Sequence, residues 1–173
     1  MGAVDGNLDE VTQSAVVAFQ KVNGMERTGE ITPDFTTRVM STTGTPPALV
    51  PGGGANRVEI DLTRQVLFLY EGDAVSRILP VSSGNGERFC DGGYCRNAVT
   101  PTGDFAIYRQ GEGWEEGPLG SLYNPQYFNG GIAVHGSRSV PAEPASHGCV
   151  RIPMSAAEWF PGHVTKGTPV FVR

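Results

Sequence analysis

The chain has 173 residues, 39% hydrophobic and 18% charged, which excludes the disordered class and fits one domain plus a small appendage. The net charge is -5 and Lys and Arg nowhere cluster, so the electrostatic footprint of a nucleic-acid binder is missing. No apolar run approaches the roughly 18 residues a bilayer span needs, and Met1 to Asp5 lack the basic and apolar regions of a signal peptide; neither segment is expected in this chain.

Between Asp9 and Gly24 the apolar positions Val11, Ala15, Ala18, Phe19 and Val22 recur at helical spacing, with Gly24 as the left-handed stop. Thr32-Pro33-Asp34-Phe35 predicts a second helix with a threonine cap and proline in its first turn. From Ser41 to Gly54 the composition is that of a linker, which divides the chain into a helical part (1–41), a Pro/Gly/Thr-rich linker (42–55) and a main body (56–173). In the body the period switches to two. Val58, Ile60 and Leu62 alternate with Glu59 and Asp61, and Gln65 to Tyr70 and Ile78 to Val81 continue an antiparallel meander. Further strands are predicted at Asp104 to Arg109, Ile132 to His135 and Pro169 to Val172. A short helix is predicted at Ser155 to Phe160, where Ser155 and Glu158 have capping-box spacing and Pro161-Gly162 end it. With 24 Gly and 13 Pro, the body reads as mainly β, a β-sandwich or open barrel carrying one short helix.

Cys90 and Cys95 flank the turn-like Asp91-Gly92-Gly93-Tyr94, which predicts a disulfide worth about 2 kcal/mol and an oxidising compartment; a reduced pair or half a metal site are the alternatives. Cys149 stands alone. It lies in Ser146-His147-Gly148-Cys149-Val150-Arg151, which concentrates a thiol, an imidazole, a guanidinium and a glycine. A thiol attacks as its thiolate, which a nearby imidazole favours by taking the proton. His147 is two residues away and shares the cysteine's face of an extended chain, whereas His135 ends the apolar run Ile132-Ala133-Val134. Spacing leaves that choice open. The N–H groups of Gly148 and Cys149 form a prospective oxyanion hole.

Residues 123–151, from Tyr123-Asn124-Pro125-Gln126-Tyr127-Phe128 through Ile132-Ala133-Val134-His135-Gly136 to Ser146-His147-Gly148-Cys149-Val150-Arg151, resemble the L,D-transpeptidase (YkuD) catalytic domain. Thr100-Pro101-Thr102-Gly103-Asp104-Phe105 and Gly167-Thr168-Pro169-Val170 extend the resemblance over about residues 56–173. Residues 4–40, with Asp5-Gly6, Ala15-Val16, Phe19-Gln20 and Thr28-Gly29-Glu30-Ile31, resemble a three-helix peptidoglycan-binding module. Its first helix is missing before Val4, which predicts a truncated module that packs on the catalytic domain.

The resemblance implies Cys149 as nucleophile and His135 as proton donor and acceptor, with His147 supporting the site. It implies attack on the bond between the third residue of a peptidoglycan tetrapeptide stem and its terminal D-alanine, and a 3→3 cross-link when an amine of a neighbouring stem resolves the thioester. Resolution by water would make the protein an L,D-carboxypeptidase. The Gly136 carbonyl or the Ser137 hydroxyl would orient His135. Arg151 and Ser146 would contact substrate, and Tyr123, Tyr127, Phe128 and Trp114 would form lid and cleft. Carbapenem β-lactams would acylate Cys149. No cofactor or metal is implied, and the expected location is periplasm or cell wall.

Plainer readings stand beside these. Cys149 is a buried structural thiol, His135 a satisfied strand-end histidine, Arg151 a structural ion pair, the aromatics core residues, and His163 a surface turn residue. A zinc site of His135, His147 and Cys149, or a wall-binding protein with a dead site, are the rival classes.

Overall fold

The computed structural model describes residues 6–173; Val4-Asp5 of the module motif and the stretch read for a signal lie outside them. Helix α1 (Glu10–Val22) starts at Asp9, whose carboxylate accepts the Thr12 N–H at 2.7 Å. Helix α2 (Pro33–Ser41) starts at Thr32, whose hydroxyl accepts the Phe35 N–H at 3.1 Å, with proline in the first turn. Phe19 and Phe35 meet edge to face at 5.2 Å. The buried Gln20 amide clamps the intervening turn, accepting the Gly29 N–H at 2.8 Å and donating to Glu30 O at 3.1 Å.

Chain order then gives β1 (Arg57–Asp61), β2 (Val66–Glu71), β3 (Ala74–Pro80), the hairpin β4 (Arg88–Asp91) and β5 (Tyr94–Asn97), and β6 (Gly103–Ala106). There follow β7 (Arg109–Gln110), the hairpin β8 (Trp114–Gly117) and β9 (Gly120–Asn129), β10 (Ile132–Ser137), β11 (Val150–Pro153), α3 (Met154–Ala157) and β12 (Pro169–Val172). One sheet runs β3-β2-β1-β12-β6 and the other β11-β10-β9-β7, with β8 on β9. They pack as an open sandwich around Ile60, Leu67, Leu69, Val134, Val150, Ile152, Phe160 and Val170. Cys90 and Cys95 face each other across β4 and β5 and are disulfide-bonded.

The meander of β1 to β3 forms as the sequence indicates, and the C-terminal β12 inserts parallel to β1, a pairing between chain ends that local pattern cannot announce. Glu59 and Asp61, the polar positions of the alternation in β1, are buried. Val66, Phe68 and Tyr70 form a second core on that face with Val22, Ala48, Leu49, Val75 and Ile78, so helix and linker residues cover the sheet. This explains the unbroken apolar run of β2. Lastly, the capping box does not form: α3 is already helical at Met154, Pro153 occupies the cap without a side-chain bond, and the Glu158 carboxylate instead accepts from the Tyr123 hydroxyl at 2.9 Å. Pro161 and Gly162 lie inside a 3-10 turn, Phe160–His163.

Candidate active site

Strands β10 and β11 run parallel, with Val134 level with Val150 and His135 level with Arg151. Val134 and Val150 point into the core, at 0% exposure, so the alternation of a strand puts His135 and Arg151 together on the opposite face. Cys149 lies one residue ahead of β11, diagonally across from His135 in that register, with its thiol 3.7 Å from Gly131 O. On the other flank of β10, Val134 pairs with Gln126 and Gly136 with Tyr123, so β9 carries one residue too many opposite His135. That bulge is written in Asn124-Pro125. Asn124 takes a left-handed φ of 46° and Pro125 has no N–H to leave unpaired. The Asn124 amide pins the bulge, accepting the Gly113 N–H at 2.7 Å and donating to Ala157 O at 3.0 Å.

His135 Nδ1 lies 2.9 Å from Gly136 O. A carbonyl only accepts, so Nδ1 carries the proton and Nε2 is left as the basic nitrogen. Burial, opposed by that hydrogen bond and reinforced by the Arg151 charge, brings the His135 pKa down to about 4, so the ring is neutral at pH 7. Burial also pushes the Cys149 thiol up, against the opposing pull of the Ala133 backbone and Arg151. The resting pair is therefore thiol and imidazole, uncharged.

This has a consequence for stability. Below its ordinary pKa of 6.5 the unfolded chain protonates His135 while the folded chain does not until about pH 4. Stability from this residue is therefore lost as pH falls through that window, by up to about 3 kcal/mol, and is unaffected above it. Urea titrations of wild type and His135→Gln between pH 7 and 4 should show the flatter slope in the variant; equal slopes would mean that His135 charges freely in the fold.

The cysteine loop is held from within and from outside. Ser146, 2% exposed, donates through Oγ to Cys149 O at 2.5 Å and accepts the Gly148 N–H at 3.0 Å. Gly148 sits at φ 135°, where a Cβ would come within 3.0 Å of Val99 O, and its own carbonyl accepts from Thr100 Oγ1 at 2.7 Å. Ser146 thus braces the loop with its hydroxyl spent on backbone partners, and the Gly148 N–H is occupied by Ser146 Oγ.

The remaining candidates divide. Ser137 Oγ is turned into its own turn, donating to Ser139 O at 3.0 Å, so the Gly136 carbonyl and not Ser137 meets His135. Gly136 itself is required, since a Cβ there would lie 2.5 Å from Ala157 Cβ. His147 is exposed and packs on Phe89 beside the disulfide hairpin at 4.8 Å; the zinc alternative needed it next to Cys149. Arg151 makes no ion pair among the described residues, which removes its structural reading. Phe128 is a core residue packed on Phe105, not a cleft wall, because its β9 position faces the other sheet. Tyr127 is buried but adjoins the site: its hydroxyl donates to Glu115 at 2.9 Å, and burial first, with Glu115 and Cys149 adding, raises its pKa to about 12. Trp114 is exposed, 5.1 Å from Tyr123 and with the Arg138 guanidinium 5.2 Å from its ring. His163 is at the surface, paired with Glu71 at 2.7 Å.

Sequence reasoning missed Thr100, Ser82, Ser83 and Gln65, which carry the loop from behind. Only Thr100 left a signal, in the Thr100-Pro101-Thr102-Gly103 segment. The others are ordinary polar residues whose role exists only once residues distant in sequence meet.

Known proteins match the chain over its catalytic body and its helical module. Residues 55–172 match the family model of the YkuD L,D-transpeptidase catalytic domain, and residues 1–38 that of a putative peptidoglycan-binding domain. An L,D-transpeptidase from Xylanimonas cellulosilytica is 40% identical with a TM-score of 0.91, over 100% of this chain and 85% of that one. An L,D-transpeptidase from Stackebrandtia nassauensis (23% identity, TM-score 0.57) aligns over 100% and 82% of the respective chains. L,D-transpeptidase 3 from Mycobacterium tuberculosis, solved with a faropenem-derived adduct (19%, 0.55), aligns over 69% and 60%. The last two show the fold alone. No curated protein matches the chain. Since the catalytic-domain model spans well over half its length and the Xylanimonas relative all of it, the chain belongs to the YkuD family of L,D-transpeptidases.

Proposed function

We propose that this L,D-transpeptidase is cysteine-dependent and forms 3→3 peptidoglycan cross-links. The observation that carries the reading is the parallel register of β10 and β11, which sets a neutral His135, with Nδ1 on Gly136 O, diagonally across from Cys149, whose thiol reaches Gly131 O at 3.7 Å. Cys149 Sγ attacks the carbonyl carbon between the third stem residue and D-alanine while His135 Nε2 takes the thiol proton. The Cys149 N–H holds the oxyanion. Collapse expels D-alanine, whose nitrogen takes the proton from His135, and leaves a thioester on Cys149. The acceptor amine of a second stem then attacks the thioester and gives its proton to His135. When this intermediate breaks down, the thiol leaves and recovers that proton.

Arg151, without an ion-pair partner among the described residues and on the same face, binds a stem carboxylate in this reading, with Trp114, Tyr123 and Tyr127 as the apolar wall. A carbapenem would stop at the acylated cysteine; the faropenem adduct of the Mycobacterium tuberculosis protein supports this. The disulfide and the wall-binding module support an extracytoplasmic location. Among the described residues no helix is long and apolar enough to cross a membrane.

The test is incubation with a disaccharide-tetrapeptide and mass spectrometry of the products. A cross-linked dimer with loss of D-alanine is expected. Monomeric tripeptide alone would instead assign L,D-carboxypeptidase activity, and no turnover with reduced Cys149 would leave a wall-binding role.

A further inference from the structure

Lys21, in the last turn of α1, is 2% exposed, and its ammonium is met by backbone, donating to Gln65 O at 3.1 Å and Val81 O at 2.8 Å. Burial, and then the charge of Arg27, pull its pKa down to about 8. A lysine is not needed to seat a helix on a sheet, where an apolar residue would serve, so the residue that receives its bonds matters.

Gln65 is 1% exposed and held at φ 59°, a left-handed conformation that a non-glycine residue keeps only where its surroundings impose it. Its carbonyl accepts from Lys21 Nζ and from the Val81 N–H. Its side chain grips Ser83 twice, accepting the Ser83 N–H at 2.9 Å and donating to Ser83 Oγ at 2.8 Å.

Ser83 O in turn accepts the N–H groups of Ala145 and Ser146 at 3.0 and 2.9 Å, while Ser82 exchanges backbone bonds with Arg151 and donates through Oγ to Glu143 O at 2.8 Å. The Ser82-Ser83 segment therefore holds the Cys149 loop on both sides of the cysteine. Arg27 adds a second tie from the helical module, donating to Ala142 O at 3.2 Å and pairing with Glu143 at 3.0 Å.

We propose that Lys21 and Gln65 are positioning residues of the acyl-transfer site, through which α1 of the wall-binding module fixes the loop that carries Cys149. This rests on the reading of Cys149 as nucleophile. The module is then part of the catalytic unit and not only a tether to the wall.

The experiment compares Lys21→Met, Gln65→Met, the double variant and the exposed control Lys166→Met, all well below their melting midpoints. It measures kcat and KM on the disaccharide-tetrapeptide, and hydrogen exchange at the amides of Ala145 and Ser146. Each single variant is expected to lower kcat about tenfold with KM little changed, because the loop is displaced and the binding wall is not. Exchange at both amides should accelerate. The double variant should lose no more than the worse single one, since both residues act on one chain of bonds. Wild-type kcat and wild-type exchange in folded variants, with only a lower melting temperature, would overturn the proposal. Should Lys21→Met not fold, Gln65→Met, which takes no charge from the interior, decides alone. Turnover by Cys149→Ala in the same assay would instead remove the nucleophile reading, and amide exchange would still decide whether Lys21 holds the loop.

Discussion

Cys149→Ala is expected to abolish cross-linking and covalent labelling by a carbapenem, with a fall in kcat of more than about a thousandfold and no loss of stem binding. Cys149 stands ahead of β11 in a loop closed by Ser146 and Thr100, so removing its sulfur gives up only the thiol's long contact to Gly131 O at 3.7 Å and leaves the loop's own hydrogen bonds in place. His135→Ala should cost less, about 10² to 10⁴, because water at the vacated position takes over part of the proton transfer. The two effects should not add. A thiol without its base and a base without its thiol fail at the same step. Measurement of acylation by mass spectrometry, with stem binding followed separately, checks this. A Cys149→Ala protein that still released D-alanine would require another nucleophile.

The largest stability effect is expected away from the cysteine. Glu59 is fully buried at the centre of the first sheet, and its carboxylate accepts from Arg57 Nε and from the Leu49 N–H, each at 2.7 Å. Arg57 lies 3.5 Å over the Tyr70 ring. Arg57→Met would keep most of that packing but strand a buried carboxylate, at a cost of about 3–5 kcal/mol. Replacing both members, Arg57→Met with Glu59→Met, should restore most of the loss, because no uncompensated charge remains. Urea unfolding with an unchanged slope decides it. A loss under about 1 kcal/mol for the single variant would mean that water or another donor reaches Glu59.

What this pair shows is also where pattern reading stops. Alternation alone would place Glu59 and Asp61 of β1 on an outer, wetted face, which is what two-residue periodicity means when one side of a sheet is bare. The side is covered by Val22 of α1 and by Ala48 and Leu49, and covering is a fact about residues far apart in the chain. The same limit explains Phe128, whose aromatic character suits a cleft and a core equally, and Ser146, whose hydroxyl suits a substrate and a neighbouring backbone equally.

The sequence by itself determined the Gly24 stop of α1, the Thr32 cap of α2, the disulfide between Cys90 and Cys95, the mainly β body and the family, because each rests on local chemistry or on a contiguous motif. Only the tertiary structure decided which hydrogen bonds the motif residues make. Gly136 and not Ser137 orients His135, and the Gly148 N–H is spent on Ser146. Both depend on backbone direction within a turn, which residue identity does not specify. The tie from Lys21 through Gln65 and Ser83 to the Cys149 loop likewise appears only when four distant segments close on one another.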